Sequence, residues 1–440
     1  MEPLEDLISK LTPSQREAVE GTVEAYYEGS RVVGIQGAAG FGKTFCLKTL
    51  LLRLGLLSST VFTAPTHEAC KQLALDLPKK SDVQTIYKLA GMRVTDSGEE
   101  QFAVAASALS LAKYKVVVID EVSMCGDGLY KRFQEMRSLF PDILFILVGD
   151  RYQLRPPKNP ISSFFQEYLT NPSFELRESM RMHKDSPVLS TALELRELID
   201  EGYRGTIEFQ PERSEHGNIY VTGLKKFNES FARAVSSAEY TPHNIVAIAY
   251  TNVRVRQLNA LARRGLHGVD CPDWLEGEEV TLLSPLQRDG FTEVNTNATG
   301  IIRVIGDSEY SQQAMDIMPE HPIKCWSLHV DFDGMTYVCL VPNEEGVKAY
   351  ETALSVLRAT ARSSGSSYDW RKYHQFRLSV ANLRHTYAIT AHKSQGKSYN
   401  HTVYVDCVDI QNPKHRAPDM INLLNVAITR SRKDVVIAQR

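Results

Sequence analysis

The string Gly37-Ala-Ala-Gly-Phe-Gly-Lys43-Thr44 constrains this chain more than any other stretch, because it has the spacing G-x-x-x-x-G-K-[ST]. An apolar run precedes the string at residues 32–35, and a helical pattern follows it at residues 45–53. In such a strand–loop–helix, glycines let backbone N–H groups surround phosphate oxygens, and the helix N-terminus adds its positive dipole end. The alternative is a glycine turn with a surface lysine. The context favours a nucleoside triphosphate site, whose loop residues are Gly37, Ala38, Ala39, Gly40, Phe41, Gly42, Lys43 and Thr44.

Composition limits the possible functions without naming one. The chain has 440 residues, enough for more than one domain, and a formal net charge of −3. It has no global basic signature, so a nucleic-acid site would have to be a local channel or patch. The seven cysteines are scattered without a C-x-x-C pair, which argues against a disulfide framework or a zinc site and favours a reducing compartment.

No stretch has the pattern of a targeting or membrane segment. Residues 1–6 are acidic and lack the apolar core of a signal peptide. The longest apolar runs, such as residues 143–148, have the length of strands and fall far below a membrane span. We therefore expect a cytoplasmic protein with no membrane partner.

Polar residues before and after the loop are candidates for ligand contacts. Thr12 and Pro13 predict the start of a helix, in which Gln15 is either an ordinary first-turn residue or an amide that reads the edge of adenine. The β-rich run at residues 59–64 ends in Pro65-Thr66-His67. Such residues are either part of a strand-to-helix turn or lie where ligands bind to an open α/β sheet.

Two carboxylates follow a continuous apolar strand at Asp120-Glu121. With a phosphate loop present, Lys43 would reach the β- and γ-phosphates. Thr44 would bind Mg²⁺, and Asp120 would approach the ion through its water shell. Glu121 would polarise the attacking water. Successive side chains of a strand point to opposite faces, so we expect the two acids to do different jobs. A bare acidic pair is common on surfaces, but its position behind a buried strand favours catalysis.

Further polar residues follow the next strands. Gln153 comes after the apolar run at residues 143–148 and could sense the γ-phosphate, whereas Asp150 could cap the following turn. Arg181 lies in a basic turn and is either a γ-phosphate contact or a surface arginine. Before these strands, residues 87–112 interrupt the strand–helix alternation with two short runs around Asp96-Ser-Gly98, which predicts an inserted β-hairpin.

From about residue 186 the α/β alternation restarts without a second phosphate loop. Short alternating strands between residues 271 and 341 predict a small inserted β-barrel, and two helical patterns follow it over residues 344–382. The α/β pattern resumes near residue 387. Arg430 follows a helix of this second unit and could act as an arginine finger supplied in cis.

The order of these signals resembles the superfamily 1 helicases, in the RecD-like branch (superfamily 1B) and most closely the Dda type. The resemblance extends over nearly the whole chain. It rests on Gln15, residues 37–44, Ala64-Pro-Thr-His67, Asp120-Glu-Val-Ser-Met124, Gly149-Asp-Arg-Tyr-Gln153, Arg181, Tyr250-Thr-Asn252, Thr390-Ala-His-Lys-Ser-Gln-Gly396 and Ala427-Ile-Thr-Arg430. Phe41 departs from the family pattern, which usually has Thr or Ser at that position of the loop.

The resemblance implies an α/β fold with two RecA-like, P-loop-type parallel-sheet domains. The first would carry a β-hairpin insertion, and the second an SH3-like β-barrel with a helical hairpin. The implied domains are 1A at residues 1–86 and 113–185, 1B at 87–112, 2A at 186–270 and 383–440, and 2B at 271–382.

The resemblance also implies roles for single residues. Gln15 would read adenine, and Lys43, Thr44 and Asp120 would hold MgATP. Glu121 would activate water. The γ-phosphate contacts would be Gln153, Arg181 and Arg430. The single-strand track would be lined by Phe62, Pro65, Thr66, His67, Asn252, Thr390 and His392, and Phe102 would mark the aromatic tip of a strand-separating pin.

Taken together, the expectation is a monomeric ATP-dependent DNA helicase that uses Mg²⁺, translocates 5′-to-3′ on single-stranded DNA and unwinds forked duplex in replication or recombination. Single-strand-binding or replication proteins are its expected partners. One alternative is a nucleotide-switched DNA-binding or remodelling ATPase without processive unwinding. A phosphate-loop kinase or a nuclease-linked ATPase is a further alternative, disfavoured by the lack of an acceptor domain or a carboxylate cluster for a nuclease metal.

Overall fold

A computed structural model describes residues 3–94, 100–154, 163–288, 291–415 and 419–440. The chain forms two compact units, of which the first contains Met1–Arg256 with Ile389–Arg440 and the second contains Gln257–Ala388. In the described ranges, no helix is both long enough and apolar enough to cross a membrane. The turn expected at Asp96-Ser-Gly98 lies outside the described residues.

The first stretch of the chain alternates strands and helices. Its elements are α1 (Leu4–Ser9), α2 (Pro13–Tyr27), β1 (Val32–Gly37), α3 (Lys43–Arg53), β2 (Thr60–Ala64), α4 (His67–Asp76), β3 (Asp82–Thr85), α5 (Ile86–Leu89), β4 (Met92–Val94), β5 (Glu100–Phe102), β6 (Val116–Ile119), α6 (Asp127–Leu139), β7 (Leu144–Gly149) and β8 (Phe174–Leu176). Short 3₁₀ turns at Leu57–Ser59, Ala106–Ala108 and Val122–Met124 and a π-helical turn at Phe165–Leu169 connect them.

Six of these strands form one parallel sheet in the order β3-β2-β6-β7-β1-β8. Its inner strands are buried along their whole length, as the all-buried patterns of β2, β6 and β7 show. Parallel strands covered on both faces are apolar throughout, which is why the sequence has continuous apolar runs here. The polar residues that follow each strand therefore lie at one edge of the sheet, as in other open α/β folds.

The next stretch begins a second α/β region. Its elements are α7 (Pro187–Asp200), β9 (Glu212–Ser214), β10 (Gly217–Thr222), α8 (Leu224–Val235), β11 (Ile245–Ala249) and α9 (Asn252–His267).

The second unit is built mainly of antiparallel strands and two long helices. Its elements are β12 (Glu279–Leu282), β13 (Leu286–Arg288), β14 (Phe291–Val294), β15 (Thr299–Tyr310), α10 (Gln312–Ile317), β16 (Lys324–Phe332), β17 (Met335–Pro342), α11 (Glu344–Ser364), α12 (Ser367–Arg377) and β18 (Leu383–His385).

Five strands of this unit form an antiparallel sheet in the order β17-β16-β15-β12-β18. Irregular register at Ile302/Val304 and Gly306/Ser308 marks bulges in β15, and bulges bend a strand. The short alternating strands and the helix pair predicted from the sequence are present. Closure into an SH3-like barrel stays a prediction.

The end of the chain completes a second sheet in the first unit. Its elements are β19 (Ala388–Thr390), α13 (Ala391–Ser394), β20 (Thr402–Asp406), α14 (Cys407–Ile410), a 3₁₀ turn at Pro413–His415, α15 (Met420–Ile428) and β21 (Asp434–Ala438). The sheet order is β19-β11-β20-β21-β10-β9. β11, β20, β21 and β10 run parallel, and β9 is an antiparallel edge strand. One apolar core contains side chains from both six-stranded sheets, such as Ile35 and Val246, and from helices packed on them, such as Leu47 of α3 and Leu424 of α15.

Candidate nucleotide and DNA site

The phosphate-binding loop has the strand–loop–helix setting that the sequence predicts. β1 ends at Gly37, α3 begins at Lys43, and Gly40 and Gly42 have φ angles of 88° and 70°. Side chains rarely occupy that left-handed region, so both positions favour glycine. Space adds a second constraint, because a Cβ atom on Gly40 would lie 2.8 Å from Cβ of Arg181. Lys43 Nζ donates to the carbonyl oxygen of Gly37 at 3.0 Å, inside the loop.

Gln15 packs against this loop. Its side-chain oxygen accepts from the backbone N–H of Thr12 at 3.0 Å, completing a capping box at the start of α2. Its amide nitrogen donates to the carbonyl oxygen of Phe41 at 2.9 Å, and the side chain is fully buried. Thr12 as N-cap and Pro13 as first helical residue are confirmed. The role of Gln15 in reading adenine stays a prediction.

Asp120 and Glu121 follow β6, which ends at Ile119. Asp120 Oδ1 accepts from the backbone N–H of Glu121 at 2.9 Å. Burial raises the pKa of both carboxyl groups, and the positive charge of Lys43 opposes that shift in each. Glu121 Oε2 is buried and has no hydrogen-bond partner among the described residues. A buried carboxylate oxygen without a protein donor is suited to accept a proton from water.

Strand alternation does not apply to this pair, and the two different roles expected for the acids stay a prediction. Both carboxyl groups feel the charge of Lys43, so they serve one site rather than opposite faces of a sheet. The strand has ended before them, and Glu121 has a φ of 51°, a left-handed conformation that alternation does not describe.

Two guanidinium groups lie near the site, that of Arg181 beside the phosphate loop and that of Arg430 at the end of α15. Burial, with the charges of Arg430 and Arg432, lowers the pKa of Arg181 to about 10. Arg430 is 2% exposed, and burial lowers the pKa of its guanidinium while Glu121 and Asp150 counter that effect. Neither Arg181 nor Arg430 forms an ion pair within the described ranges, and Arg181 Nη1 is buried without a hydrogen-bond partner there. Buried, repelling cations of this kind favour an anionic ligand such as a phosphate.

Arg430 is held by main-chain oxygens of its own sheet region. Its Nε donates to the carbonyl oxygen of Val426 at 2.9 Å, and Nη1 donates to that of Lys397 at 3.1 Å. Nη2 donates to Thr429 Oγ1 at 3.3 Å. These bonds fix the side chain at the end of α15 without a carboxylate that would neutralise it.

The loop after β7 joins the two sheets. Gln153 Oε1 accepts from Gln395 Nε2 at 2.9 Å, and Gln153 Nε2 is buried without a hydrogen-bond partner in the described part of the chain. The carbonyl oxygen of Tyr152 accepts from Asn422 Nδ2 at 3.1 Å and from Asn425 Nδ2 at 3.2 Å. The γ-phosphate candidate of the first sheet is thus tied to the region that carries Arg430.

Sequence reasoning did not single out Asn422 and Asn425, although a signal was present. They stand three residues apart in an otherwise apolar helix, where a polar residue needs a specific partner. For Asp150, the capping alternative is confirmed. Its Oδ1 accepts from the backbone N–H of Tyr152 at 3.0 Å, and Oδ2 lies 3.4 Å from Arg196 Nη2.

The DNA candidates of the first sheet divide into buried and exposed residues. Phe62 is wrong as a DNA contact, because it is fully buried in the middle of β2 and belongs to the apolar core. Pro65 is also buried. Thr66 and His67 are exposed at the N-terminus of α4, where Thr66 Oγ1 accepts from the backbone N–H of Ala69 at 3.1 Å. These two present their side chains to solvent beyond the carboxyl end of β2.

On the second sheet, Asn252 and His392 are exposed, whereas Thr390 is buried and caps α13 by accepting from the backbone N–H of Lys393. The His392 ring lies 5.9 Å from that of Tyr250. The carboxylate of Asp409 accepts from the backbone N–H of Tyr250 at 2.8 Å and fixes this loop. A polar pair beside aromatic rings at the end of β11 and β19 suits a nucleic-acid strand.

Phe102 does not mark the tip of the hairpin. β4 and β5 pair antiparallel with Met92 opposite Phe102 and Val94 opposite Glu100, so Phe102 lies at the end remote from the turn. Its ring is 52% exposed and lies 4.5 Å below the guanidinium of Arg132. The hairpin prediction is confirmed for these two strands, and the turn predicted between them lies outside the described residues.

A separate cluster of metal-ligand types lies at His183, Asp185 and His216, with donor atoms within 4.8 Å of one another. The two imidazole rings stack with centroids 3.6 Å apart and planes 25° from parallel. Because their lone pairs lie in the ring planes, stacked rings do not direct both nitrogens at one ion. We assign no metal there.

The fold and the site together define a class. A phosphate loop on one parallel sheet and a buried arginine from a second parallel sheet without a loop are the two halves of a RecA-like ATPase with two sheets. The AAA domain family matches residues 10–210, and the UvrD-like helicase C-terminal domain family matches residues 385–438.

Comparison with known proteins narrows this class. The ATP-dependent DNA helicase dda of Enterobacteria phage T4 is 26% identical, covering 97% of this chain and 98% of the relative. An uncharacterised protein of Acanthamoeba polyphaga mimivirus is 22% identical, covering 85% and 88%. The solved structure of Pif1 helicases described as unwinding forked DNA superimposes with a TM-score of 0.51 at 16% identity, covering 98% of this chain and 92% of that chain. Over nearly its whole length the chain is therefore similar to DNA helicases of superfamily 1B.

Proposed function

We propose that this chain translocates 5′-to-3′ along single-stranded DNA and unwinds forked duplex during replication or recombination. It is an ATP-dependent DNA helicase of the Dda and Pif1 type. The observation that carries the proposal is that the loop after β7, on the sheet with the phosphate loop, is hydrogen-bonded to the region that carries Arg430, through Gln395 to Gln153 and through Asn422 to Tyr152. This packing supports a cleft with a hydrolytic carboxylate, Glu121, on one side and an arginine finger, Arg430, on the other.

ATP binds in this cleft with Lys43 on one side and Arg430 on the other. Mg²⁺ would be held by the oxygen ligands of Thr44 and Asp120 and, when bound, would neutralise charge on the β- and γ-phosphates. Glu121 accepts the proton of the attacking water, and Gln153 contacts the γ-phosphate. Binding draws the sheets together, and hydrolysis releases them.

Single-stranded DNA crosses the carboxyl edges of both sheets. Thr66 and His67 contact it on one sheet, and Asn252 and His392 contact it on the other. Alternating grip by the two pairs moves the strand as the cleft closes and opens. The hairpin of β4 and β5 separates the duplex ahead. The protein acts as a monomer in the cytoplasm, where its seven cysteines stay unpaired, and meets single-strand-binding or replication proteins at the fork.

The test compares duplexes that carry only a 5′ tail, only a 3′ tail, or both, under single-turnover conditions with ATP and Mg²⁺. We expect unwinding of the 5′-tailed and forked duplexes and none of the 3′-tailed duplex. Unwinding of the 3′-tailed duplex alone would reverse the direction. DNA-stimulated ATP hydrolysis without unwinding of any duplex would favour the nucleotide-switched binding protein instead.

A further inference from the structure

The Glu100 side chain in β5 accepts three hydrogen bonds, two of them from the start of helix α6 and one from Tyr87 in α5. Its Oε1 accepts from the Tyr87 hydroxyl at 2.7 Å and from the backbone N–H of Gly126 at 3.2 Å. Its Oε2 accepts from the backbone N–H of Leu129 at 2.8 Å. The first N–H groups of a helix lack partners within the helix, so the carboxylate both satisfies them and complements the positive end of the dipole.

Two glycines make room for this carboxylate. A Cβ atom on Gly126 would lie 3.0 Å from the carboxylate carbon and both oxygens of Glu100, and one on Gly128 would lie 2.6 Å from Oε2. Neither glycine has a positive φ, so the backbone conformation alone does not call for glycine at these positions. The close approach of the Glu100 side chain accounts for both.

Tyr87 is the third donor to the Glu100 carboxylate. Burial, with the nearby Cys125 and Glu100, raises the pKa of the Tyr87 phenol well above its usual range, so the hydroxyl stays protonated and donates. A second attachment lies along α6, where Arg132 Nη2 donates to the carbonyl oxygen of Val104 at 2.8 Å and its guanidinium covers Phe102. Helix α6 therefore holds both β5 and the residues that follow it.

Helix α6 begins only a few residues after the catalytic candidate Glu121. The catalytic candidate Glu121 is followed directly by the 3₁₀ turn Val122–Met124, buried Cys125 and Gly126, the N-cap of α6. The hairpin is thus fastened to the first turn of a helix whose N-terminus is connected to Glu121 by five residues of chain.

We propose that Glu100 is a positioning residue that fixes the strand-separating hairpin to the segment carrying Glu121. This attachment couples strand separation to ATP hydrolysis. The inference rests on the proposed function, because it takes the β4–β5 hairpin as the strand separator. Glu100 touches neither nucleotide nor DNA. It acts through the backbone N–H groups of α6.

The experiment measures fork unwinding, single-strand translocation and DNA-stimulated ATP hydrolysis for each full-length variant. In Glu100→Ala we expect unwinding to fall at least about tenfold, since a misplacement of about 1 Å can cost up to ~10²-fold. Translocation and ATP hydrolysis should stay unchanged. Glu100→Gln keeps one acceptor oxygen, so its unwinding rate should lie between those of wild type and Glu100→Ala. Lys131→Ala, an exposed position on the same helix, is the matched control and should leave all three rates unchanged.

Gly128→Ala provides a test that leaves Glu100 in place. The added methyl group occupies the position of the carboxylate, so this variant should reproduce the loss of unwinding seen in Glu100→Ala. Thermal unfolding checks that each variant folds. Unwinding at the wild-type rate in both variants, or an equal loss of all three activities, would overturn the inference.

A hairpin variant separates this inference from the proposed function. Replacing residues 95–99 with two glycines shortens the hairpin without touching Glu100. If the shortened variant unwinds at the wild-type rate, the hairpin is not the strand separator and the proposed function fails at that step. If it loses unwinding while Glu100→Ala does not, only the anchoring role of Glu100 is refuted.

Discussion

Replacing Arg430 with alanine removes a cation that the α/β region without a phosphate loop brings near Glu121. The guanidinium is fully enclosed and makes its hydrogen bonds to the carbonyl oxygens of Val426 and Lys397 and to the Thr429 hydroxyl. Its removal leaves these acceptors without their donor, which destabilises the fold. It also removes the cost of burying a charge, which stabilises it. Because the two effects oppose each other, we expect the free energy of unfolding to change by no more than about 2 kcal/mol.

The effect on catalysis should be far larger. An arginine that reaches the γ-phosphate contributes about 10³–10⁵ to kcat in phosphate-loop enzymes. Arg181 supplies a second guanidinium to the same site, so we expect the loss in Arg430→Ala near the lower bound, about 10³-fold. At about 1.4 kcal/mol per tenfold, that is roughly 4 kcal/mol of transition-state stabilisation.

The assay is DNA-stimulated ATP hydrolysis at saturating ATP, with nucleotide affinity measured separately by a fluorescent ATP analogue. We expect kcat to fall and the Kd for nucleotide to change little, because the finger acts mainly on charge that develops during transfer. Arg430→Lys keeps a positive charge without the planar fork and should lie between wild type and alanine. Arg432→Ala, exposed and two residues away, is the matched control.

The opposite pattern would refute this reasoning. If Arg430→Ala weakens nucleotide binding while kcat is unchanged, the side chain binds ATP in the ground state only and is not a finger. If Arg432→Ala lowers kcat to the same extent, the effect arises from net charge near the site rather than from the geometry of Arg430.

Two other residues give independent predictions. Glu121→Gln should lower kcat by about 10²–10⁴-fold with MgATP binding retained, and a wild-type kcat would exclude it as the base. Burial raises the pKa of Glu121, and the group must be ionised to accept a proton, so kcat/KM for MgATP should fall with decreasing pH at a higher pH than for an ordinary glutamate. The positive charge of Lys43 opposes this rise in the pKa of Glu121. A Lys43→Ala variant with measurable residual activity should therefore lose that activity at a still higher pH. Phe102→Ala should lower fork unwinding while ATP hydrolysis and translocation are spared, and a parallel loss of all three would exclude a role at the fork.

The parts of the site that sequence could predict are those set by local chemistry. The loop at residues 37–44 needs glycines, a lysine and a hydroxyl at fixed spacing, and the chain around it determines its setting between β1 and α3. The same holds for Thr12 and Pro13, whose capping chemistry is complete within one helical turn. Asp120 and Glu121 were found because a buried strand precedes them.

The errors arose where side-chain direction depends on more than spacing. Phe62 belongs to a motif region, but a central parallel strand is covered on both faces, so no side chain in its middle is available to DNA. The resemblance places Phe102 at the tip, whereas the pairing register of β4 and β5, which an alternating pattern alone does not reveal, places it at the other end of β5. The left-handed backbone of Glu121 is likewise invisible to a rule for strands.

The partners in the contacts that join the two sheets could not be predicted. Gln395 donates to Gln153 across 242 positions of sequence, and Asn422 donates to Tyr152 across 270. A polar residue in an apolar helix, such as Asn422, indicates that a partner exists, but the identity of that partner depends on how two separate α/β regions pack. For the same reason no local pattern points to Glu100, because its backbone donors Gly126 and Leu129 lie 26 and 29 residues further along the chain.

The account's central claim is that hydrolysis at the cleft between Lys43 and Arg430 drives strand separation. The most direct measurement follows ATP consumed and duplex unwound in one reaction on a 5′-tailed fork, for wild type and Lys43→Ala, with DNA affinity measured in the absence of nucleotide. We expect Lys43→Ala to lose both ATP hydrolysis and unwinding while its DNA affinity is unchanged. Unwinding by Lys43→Ala at the wild-type rate would contradict the claim.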